Sequence, residues 1–450
     1  MVNRVRKANR IAGTIAAAAA VAIVSLWTVS ALTAGTASAA PPNPHLSAGA
    51  TTDSCAACHR FHTGQSNNLV RSTPPQSTLC FSCHDGTGAD SNVAAEYSDP
   101  NVPANDPGTS SFYSHPATAA SSHTSGLVDE FAGVLNRHAQ CGDCHNPHTV
   151  SASVPDQTAE GWTSSGSLAG SSGVATGPPL AWKGSIGFEY ELCLKCHSIY
   201  TTLLTYSAES EKKTDKAAEF DPANASYHPV RAPGKNNTAA LDNSLLGGSL
   251  WHFTTGSTIR CTHCHGNYRL PGSPLVVDTP PPSARLAPHS SAYRGLLIAN
   301  YQDRELKAPS AVNDYSGGDF ALCYLCHSEA PFTDTSGDAR SDSNFRFHGY
   351  HASMLFDDPA DNTVTSTDID APGAGQGNAI CAECHFQTHS TRFAVNASNQ
   401  GYEGLVNFGP NVLPDPGSGQ GPLWYYTPGS RGSGGCTLLC HGKQHENKVY

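Results

Sequence analysis

The residues best able to do chemistry stand together in Cys141-Gly-Asp-Cys144-His145-Asn-Pro-His148. Two cysteines separated by two residues and followed at once by histidine form the attachment sequence of a c-type haem. The thiols form thioethers with the porphyrin vinyls, and His145 then lies under the iron as its proximal ligand. His148 follows by three residues, too close to swing round to the far face of the same porphyrin. That spacing directs it to a neighbouring iron.

The unit recurs along the chain. Cys55 and Cys58 precede His59, Cys80 and Cys83 precede His84, and Cys193 and Cys196 precede His197. Cys261 and Cys264 precede His265, Cys323 and Cys326 precede His327, and Cys381 and Cys384 precede His385. An eighth motif, Cys436-Thr-Leu-Leu-Cys440-His441, has three residues between its cysteines. All 16 cysteines are thereby used. Zinc sites or disulfides could use the cysteine pairs, but neither explains a histidine after every second cysteine. Eight covalent haem c groups are expected, and the extra residue of the eighth motif must bulge to keep both sulfurs on one ring.

Of the 22 histidines, eight end a motif and 14 remain for the second axial position. His62, His148 and His389 follow a motif by three or four residues and are expected to bind a neighbour's iron. His115 and His228 each precede proline, which restricts the backbone and holds the ring in place. His138 lies three residues before Cys141, and His289 is the spare histidine between the fifth and sixth motifs. His348 and His351, at helical spacing, supply at least one further ligand. His445 is either a ligand or a residue of the C-terminal tail. His45, His123, His252 and His263 read as surface or hydrogen-bonded residues. The fifth motif also departs from the others, lacking a downstream histidine and carrying His263 within it.

A haem with histidine on both faces has no open coordination position, so the expected chemistry is outer-sphere electron transfer and not catalysis. Only Met1 and Met354 could offer a thioether, and the potentials should therefore be low. The competing reading is an octahaem reductase of nitrite, hydroxylamine or a sulfur oxyanion. That would need one five-coordinate haem, whereas every motif here ends in histidine and spare histidines suffice for all eight irons.

The elements that must position these residues are short. Residues 1–10 carry Arg4, Arg6, Lys7 and Arg10, an apolar run follows to about Leu32, and Thr36-Ala-Ser-Ala39-Ala40 ends it. This reads as a signal peptide over 1–39, which exports the chain to the periplasm or beyond. Residues 40–450 read as a single domain built from four motif pairs, without a linker long enough to divide it. Membrane contact is expected only through the signal segment if it stays uncleaved.

Leu, Ile, Val and Phe make up about 17% of the chain, less than a domain with its own apolar core usually carries. There are 42 glycines, 31 prolines and a formal charge of −11, which without cofactors would place the chain near the disordered class. Eight porphyrins resolve the conflict by serving as the core. The expected fold is therefore mostly irregular and loop-rich, wrapped around a chain of stacked haems. Short helices should follow the motifs, and strands should be few. Ser207–Phe220 reads as a charged, solvated helix. The acidic balance disfavours nucleic acid as a partner.

The arrangement CAACHRFH…LCFSCHD, then CGDCHNPH…LCLKCHS, resembles the doubled-CxxCH multihaem cytochromes of respiratory, metal-reducing bacteria. Tyr227-His228-Pro229-Val230 and the segment from Asn344 to His351 are similar in kind. The resemblance implies stacked, mostly bis-histidine haems and electron transfer outside the cytoplasm. Redox proteins or extracellular acceptors would be the partners. Some members of that group assemble into cytochrome filaments and share a histidine across the subunit boundary, a role for which His45, His62 or His115 are candidates here.

Overall fold

The computed structural model describes residues 45, 52–66, 68–89, 91–98, 113–118, 139–201, 215–248, 251, 253–266, 287–291, 293–301, 316–333, 343–345, 347–354, 379–392, 403–426, 434–440 and 443–449. The expected signal segment lies outside them, as do His123, His138, His252 and His441. The chain divides into two compact units, Met1–Cys58 and His59–Tyr450. In the first, the helix α1 (Thr52–Cys58) carries Cys55 and Cys58.

The second unit is loop-rich, as its composition requires. Its helices are α2 (Ser77–Phe81), α3 (Val93–Ser98), α4 (Cys141–Cys144), α5 (Glu189–Leu194), α6 (Lys216–Glu219), α7 (Ala239–Gly248), α8 (Ala321–Tyr324), α9 (Ala330–Thr333) and α10 (Cys381–Cys384). Five of these carry motif cysteines, and a 3-10 turn over Cys261–His263 does the same for the fifth motif. The helical turns thus fall on the cysteines themselves, earlier in each motif than the sequence suggested.

Three of the sheets have two short strands each. They pair β1 (Tyr113–Ser114) with β6 (Ser290–Ser291), β2 (Gln157–Thr158) with β3 (Gly161–Trp162), and β4 (Gly173–Ala175) with β5 (Ala181–Lys183), all antiparallel. The fourth is an antiparallel sheet of β7 (Leu423–Tyr426), β8 (Gly434–Cys440) and β9 (Lys443–Val449). The eighth motif's cysteines lie on β8, so this motif is extended where the others are helical.

Apolar packing is divided into small clusters, each closed by motif cysteines. Tyr190, Leu194, Ala217, Phe220 and Val230 form one with Cys261 at its edge. Ile298, Ala299 and Leu325 form another beside Cys326. Val406, Phe408, Val412 and Leu438 form a third against Cys384, Cys436 and Cys440. Of the charged helix expected over Ser207–Phe220, the described end is α6, and it is not solvated: Ala217 and Glu219 are buried. The physical reason is that Glu219 has an ion-pair partner in Lys216, 2.9 Å away, and so can leave water.

Candidate functional site

In motifs two to seven the backbone closes one helical turn. The amides of His84, His145, His197, His265, His327 and His385 each donate to the carbonyl of their own first cysteine, at 2.8–3.0 Å. One turn brings both cysteines and the histidine to the same side of the backbone, which is what bonding to one porphyrin requires. In motifs three and seven the turn is capped by the residue preceding the second cysteine. Asp143 Oδ2 accepts the Gln140 amide at 2.7 Å, and Glu383 Oε2 accepts that of Ile380 at 3.2 Å.

In the fifth motif His263 fills this capping place, its Nδ1 accepting the Arg260 amide at 2.9 Å. It is buried among Trp162, Trp251 and Phe253, and burial, reinforced by the Arg260 charge, pulls its pKa down to about 2. His263 is therefore a neutral structural residue. This accounts for the irregularity of the fifth motif.

Neighbouring motifs touch in sequence order. The side chains of Cys80 and Cys141 lie beside each other, as do those of Cys193 and Cys261 and those of Cys323 and Cys381. Between these pairs, Cys144 interacts electrostatically with Cys193 and with Cys196. Cys264 does so with Cys323 and with Cys326. Cys384 shares a cluster with Cys436 and Cys440. Motifs two to eight thus form one continuous row. The sulfur contacts join motifs two with three, four with five and six with seven, one step out of phase with the pairing read from the sequence.

Polar ties hold the row. Gln76 Oε1 accepts the Gly142 amide at 2.6 Å, and Lys195 Nζ donates to the Asp143 carbonyl. Glu189 Oε1 accepts from both the amide and the hydroxyl of Thr262, at 3.1 and 3.0 Å.

The histidines face one another across a recurring gap. Ring centroids stand 6.1 Å apart for His59 and His148, 6.2 Å for His145 and His289, 6.3 Å for His115 and His197, and 6.1 Å for His265 and His389. Each of these pairs joins a motif histidine to a spare one. Two imidazoles bound to opposite sides of one metal, with metal–nitrogen bonds of about 2 Å each, stand about 6 Å apart. His228 and His327 line the same cavity, as do His348 and His385 at motif seven. His351 faces His445 at 6.3 Å. His62 is exposed on the turn after the first motif.

The rings are oriented from behind. Nδ1 of His59 donates to the Asn68 carbonyl at 3.0 Å, that of His115 to Pro288 at 2.6 Å and that of His145 to Ser167 at 2.9 Å. His228 donates to the Thr388 carbonyl, and His265, His351 and His385 to those of Gly295, Phe347 and Leu405. His348 Nδ1 lies 2.7 Å from the Ser343 hydroxyl. A ring held through Nδ1 presents Nε2 forward, which is the arrangement found behind metal-bound imidazoles.

Two spare histidines have a carboxylate behind them. His289 Nδ1 lies 2.6 Å from Glu96 Oε2, and His389 Nδ1 lies 2.8 Å from Glu219 Oε2. Burial alone would raise the Glu219 carboxyl, but His389 and Lys216 hold it below its ordinary value. Burial lowers the ring pKa of His197 and His348 to about 3 and of His228, His265, His327 and His445 to about 4. These imidazoles are neutral at pH 7, the form that binds a metal.

The row from motif three to motif eight borders a cavity of about 2260 Å³. Cysteines of motifs three to eight line it, together with ten histidines, among them His197, His265, His327 and His385. Pockets for one small ligand measure about 300–1,000 Å³, so this space suits several large apolar groups in a row. Burial pushes the Cys144, Cys196 and Cys264 thiols up to about 12, as expected for sulfurs on an apolar wall. The donors, the spacing and the volume fit haem c.

Sequence reasoning named the cysteines and most of the facing histidines but missed the groups behind them. A carboxylate before the second cysteine, in Cys-Gly-Asp-Cys and Cys-Ala-Glu-Cys, was a readable signal for the caps. Glu96 and Glu219 are remote in sequence from the rings they touch and gave none.

A family model for the doubled CXXCH motif matches residues 48–89. No curated protein matches the chain. No solved structure matches it either. The motif match and the attachment sequences support a multihaem c-type cytochrome with covalently bound haem c, a class whose work is electron transfer.

Proposed function

We propose that the protein is an octahaem electron conduit working outside the cytoplasm. The observation that carries this is the cavity lined by cysteines of motifs three to eight, together with histidine pairs facing each other at 6.1–6.3 Å along the row. Bound there, haem c supplies one-electron ferric–ferrous chemistry.

The chain's own residues do the rest. Each cysteine pair fixes one group in place, and the touching turns set the distance to the next. His59, His145, His197, His265, His327 and His385 would hold the iron of the first and the third to seventh sites, and His148, His289, His115, His389, His228 and His348 would supply the second histidine. At the eighth site the facing rings are His351 and His445. A site closed on both faces would exclude substrate, and imidazoles held through Nδ1 need little rearrangement when an electron passes.

The partners we propose are redox proteins or extracellular acceptors, and further copies of the chain joined end to end into a filament. The N-terminal basic and apolar segments support export.

Intact mass of the purified protein, together with its ferric spectrum, tests the reading. Eight covalent haems, all low-spin and six-coordinate, are expected. A stoichiometric high-spin iron with rapid nitrite or hydroxylamine turnover would replace the conduit with a reductase. A strictly monomeric species at high concentration would remove the filament and leave electron transfer intact.

A further inference from the structure

The groups behind the facing histidines are not equivalent, and this difference has chemical consequences. Most of the rings described above donate Nδ1–H to a neutral carbonyl. His389 and His289 instead meet carboxylates, at 2.8 and 2.6 Å. A carboxylate draws the Nδ1 proton toward itself, so the imidazole gains anionic character and becomes a stronger donor through Nε2. A stronger, more negative donor stabilises ferric over ferrous iron.

The Glu219 site is built for this. Its side chain is 1% exposed, and Lys216 Nζ holds the other carboxylate oxygen at 2.9 Å. Asp215 starts the supporting turn α6 by accepting the Ala217 amide at 3.0 Å. Phe220 packs edge-on against the His389 ring, with centroids 5.1 Å apart. The carboxylate is thus fixed in position and shielded from water, conditions under which a charge acts most strongly. Glu96 is the weaker version of the same device, because its side chain is 29% exposed and solvent screens it.

We propose that Glu219 and Glu96 are potential-setting residues: acting through His389 and His289, they lower the potentials of the irons facing His265 and His145. The proposal rests on the haem reading above and adds a graded energy profile to it. An electron moving along the row meets lowered potentials at the third and fifth positions, with Lys216 moderating the fifth.

The test is a spectroelectrochemical titration of the full-length holoprotein carrying Glu219→Gln, a nearly isosteric change that removes only the charge. One of the potentials should rise, with the ferric-to-ferrous ratio at fixed poise falling about tenfold, equivalent to about 59 mV for a one-electron couple. The spectrum should stay low-spin. Lys216→Met should move the same potential downward, an opposite sign that a purely structural role would not give. Glu96→Gln should raise a different potential by less.

Potentials equal to wild type in both glutamine variants, with spectra unchanged, would overturn the proposal. His389→Met separates this from failure of the ligand reading. A new sulfur–iron charge-transfer band keeps His389 as a ligand and leaves the Glu219 result decisive. Its absence removes the ligand assignment, and the proposal with it.

Discussion

Motifs two to seven and the eighth motif solve one attachment problem with different backbones. In the former, the histidine amide closes a helical turn onto the first cysteine. Three residues of α-helix advance by about 4.5 Å, so the two thiols stay close together. In the latter, Cys436 and Cys440 lie on β8, where four residues advance by about 13 Å. The bulge expected within the eighth motif is absent, and the irregularity lies on the strand across the hairpin. Cys436 pairs with Lys448 and Leu438 with His445, so the additional residue is on β9, where Asn447 takes a φ of 45°. That irregularity sets His445 beside Cys436, with Nδ1 3.7 Å from the sulfur. A turn closes hydrogen bonds only within itself, whereas the sheet adds a ladder of cross-strand hydrogen bonds to its apolar cluster.

The largest effect that comparison predicts is on the chain made without haem. The turns of motifs three to seven line the cavity that porphyrins would fill, so they should lose cooperative structure and amide protection. Residual protection should concentrate in β7–β9, because three strands with an apolar face can persist where isolated turns cannot. Hydrogen exchange on protein expressed without the haem-attachment machinery measures this. Equal protection in both regions would erase the distinction.

A smaller, local effect sharpens it. His351 and His445 face each other at 6.3 Å, the spacing seen where a motif histidine meets its partner. His445→Met should convert one iron of the holoprotein to His/Met ligation, with a sulfur–iron band and a raised potential. An unchanged spectrum would return the ligand role to His441 and make the eighth site resemble the others more closely.

How much of this was legible in the sequence follows the same division. The attachment residues could be read because covalent chemistry fixes their spacing, and the loop-rich fold because the chain has too little apolar content for another core. His148 was assigned to a foreign iron from spacing alone, and it faces His59. His445 was left open, since nothing local marks a hairpin that returns it to Cys436. His263 was set aside as a ligand, but its capping role needed the backbone conformation of Arg260. Glu219 and Glu96 were invisible because they meet rings about 170 and 193 residues away, contacts that only tertiary packing creates.

The smallest effect concerns what the turns need and the strand does not. Asp143 is buried, and its carboxylate caps α4 by accepting the Gln140 amide. Asp143→Ala removes an N-terminal cap of the kind worth about 0.5–2 kcal/mol, and it leaves a buried donor unpaired. The haem should remain attached through Cys141 and Cys144, because thioethers do not depend on the cap. The expected result is therefore a modest fall in thermal midpoint with unchanged mass and a low-spin spectrum. Glu383→Ala, at the longer 3.2 Å contact to Ile380, should cost less than Asp143→Ala. A cost of several kcal/mol would show that the Asp143 carboxylate supports more than one turn, since the Lys195 tie to the backbone carbonyl survives the substitution. No cost at all would show that the covalent bonds alone hold the turn, and the helical and extended motifs would then differ in geometry but not in energetics.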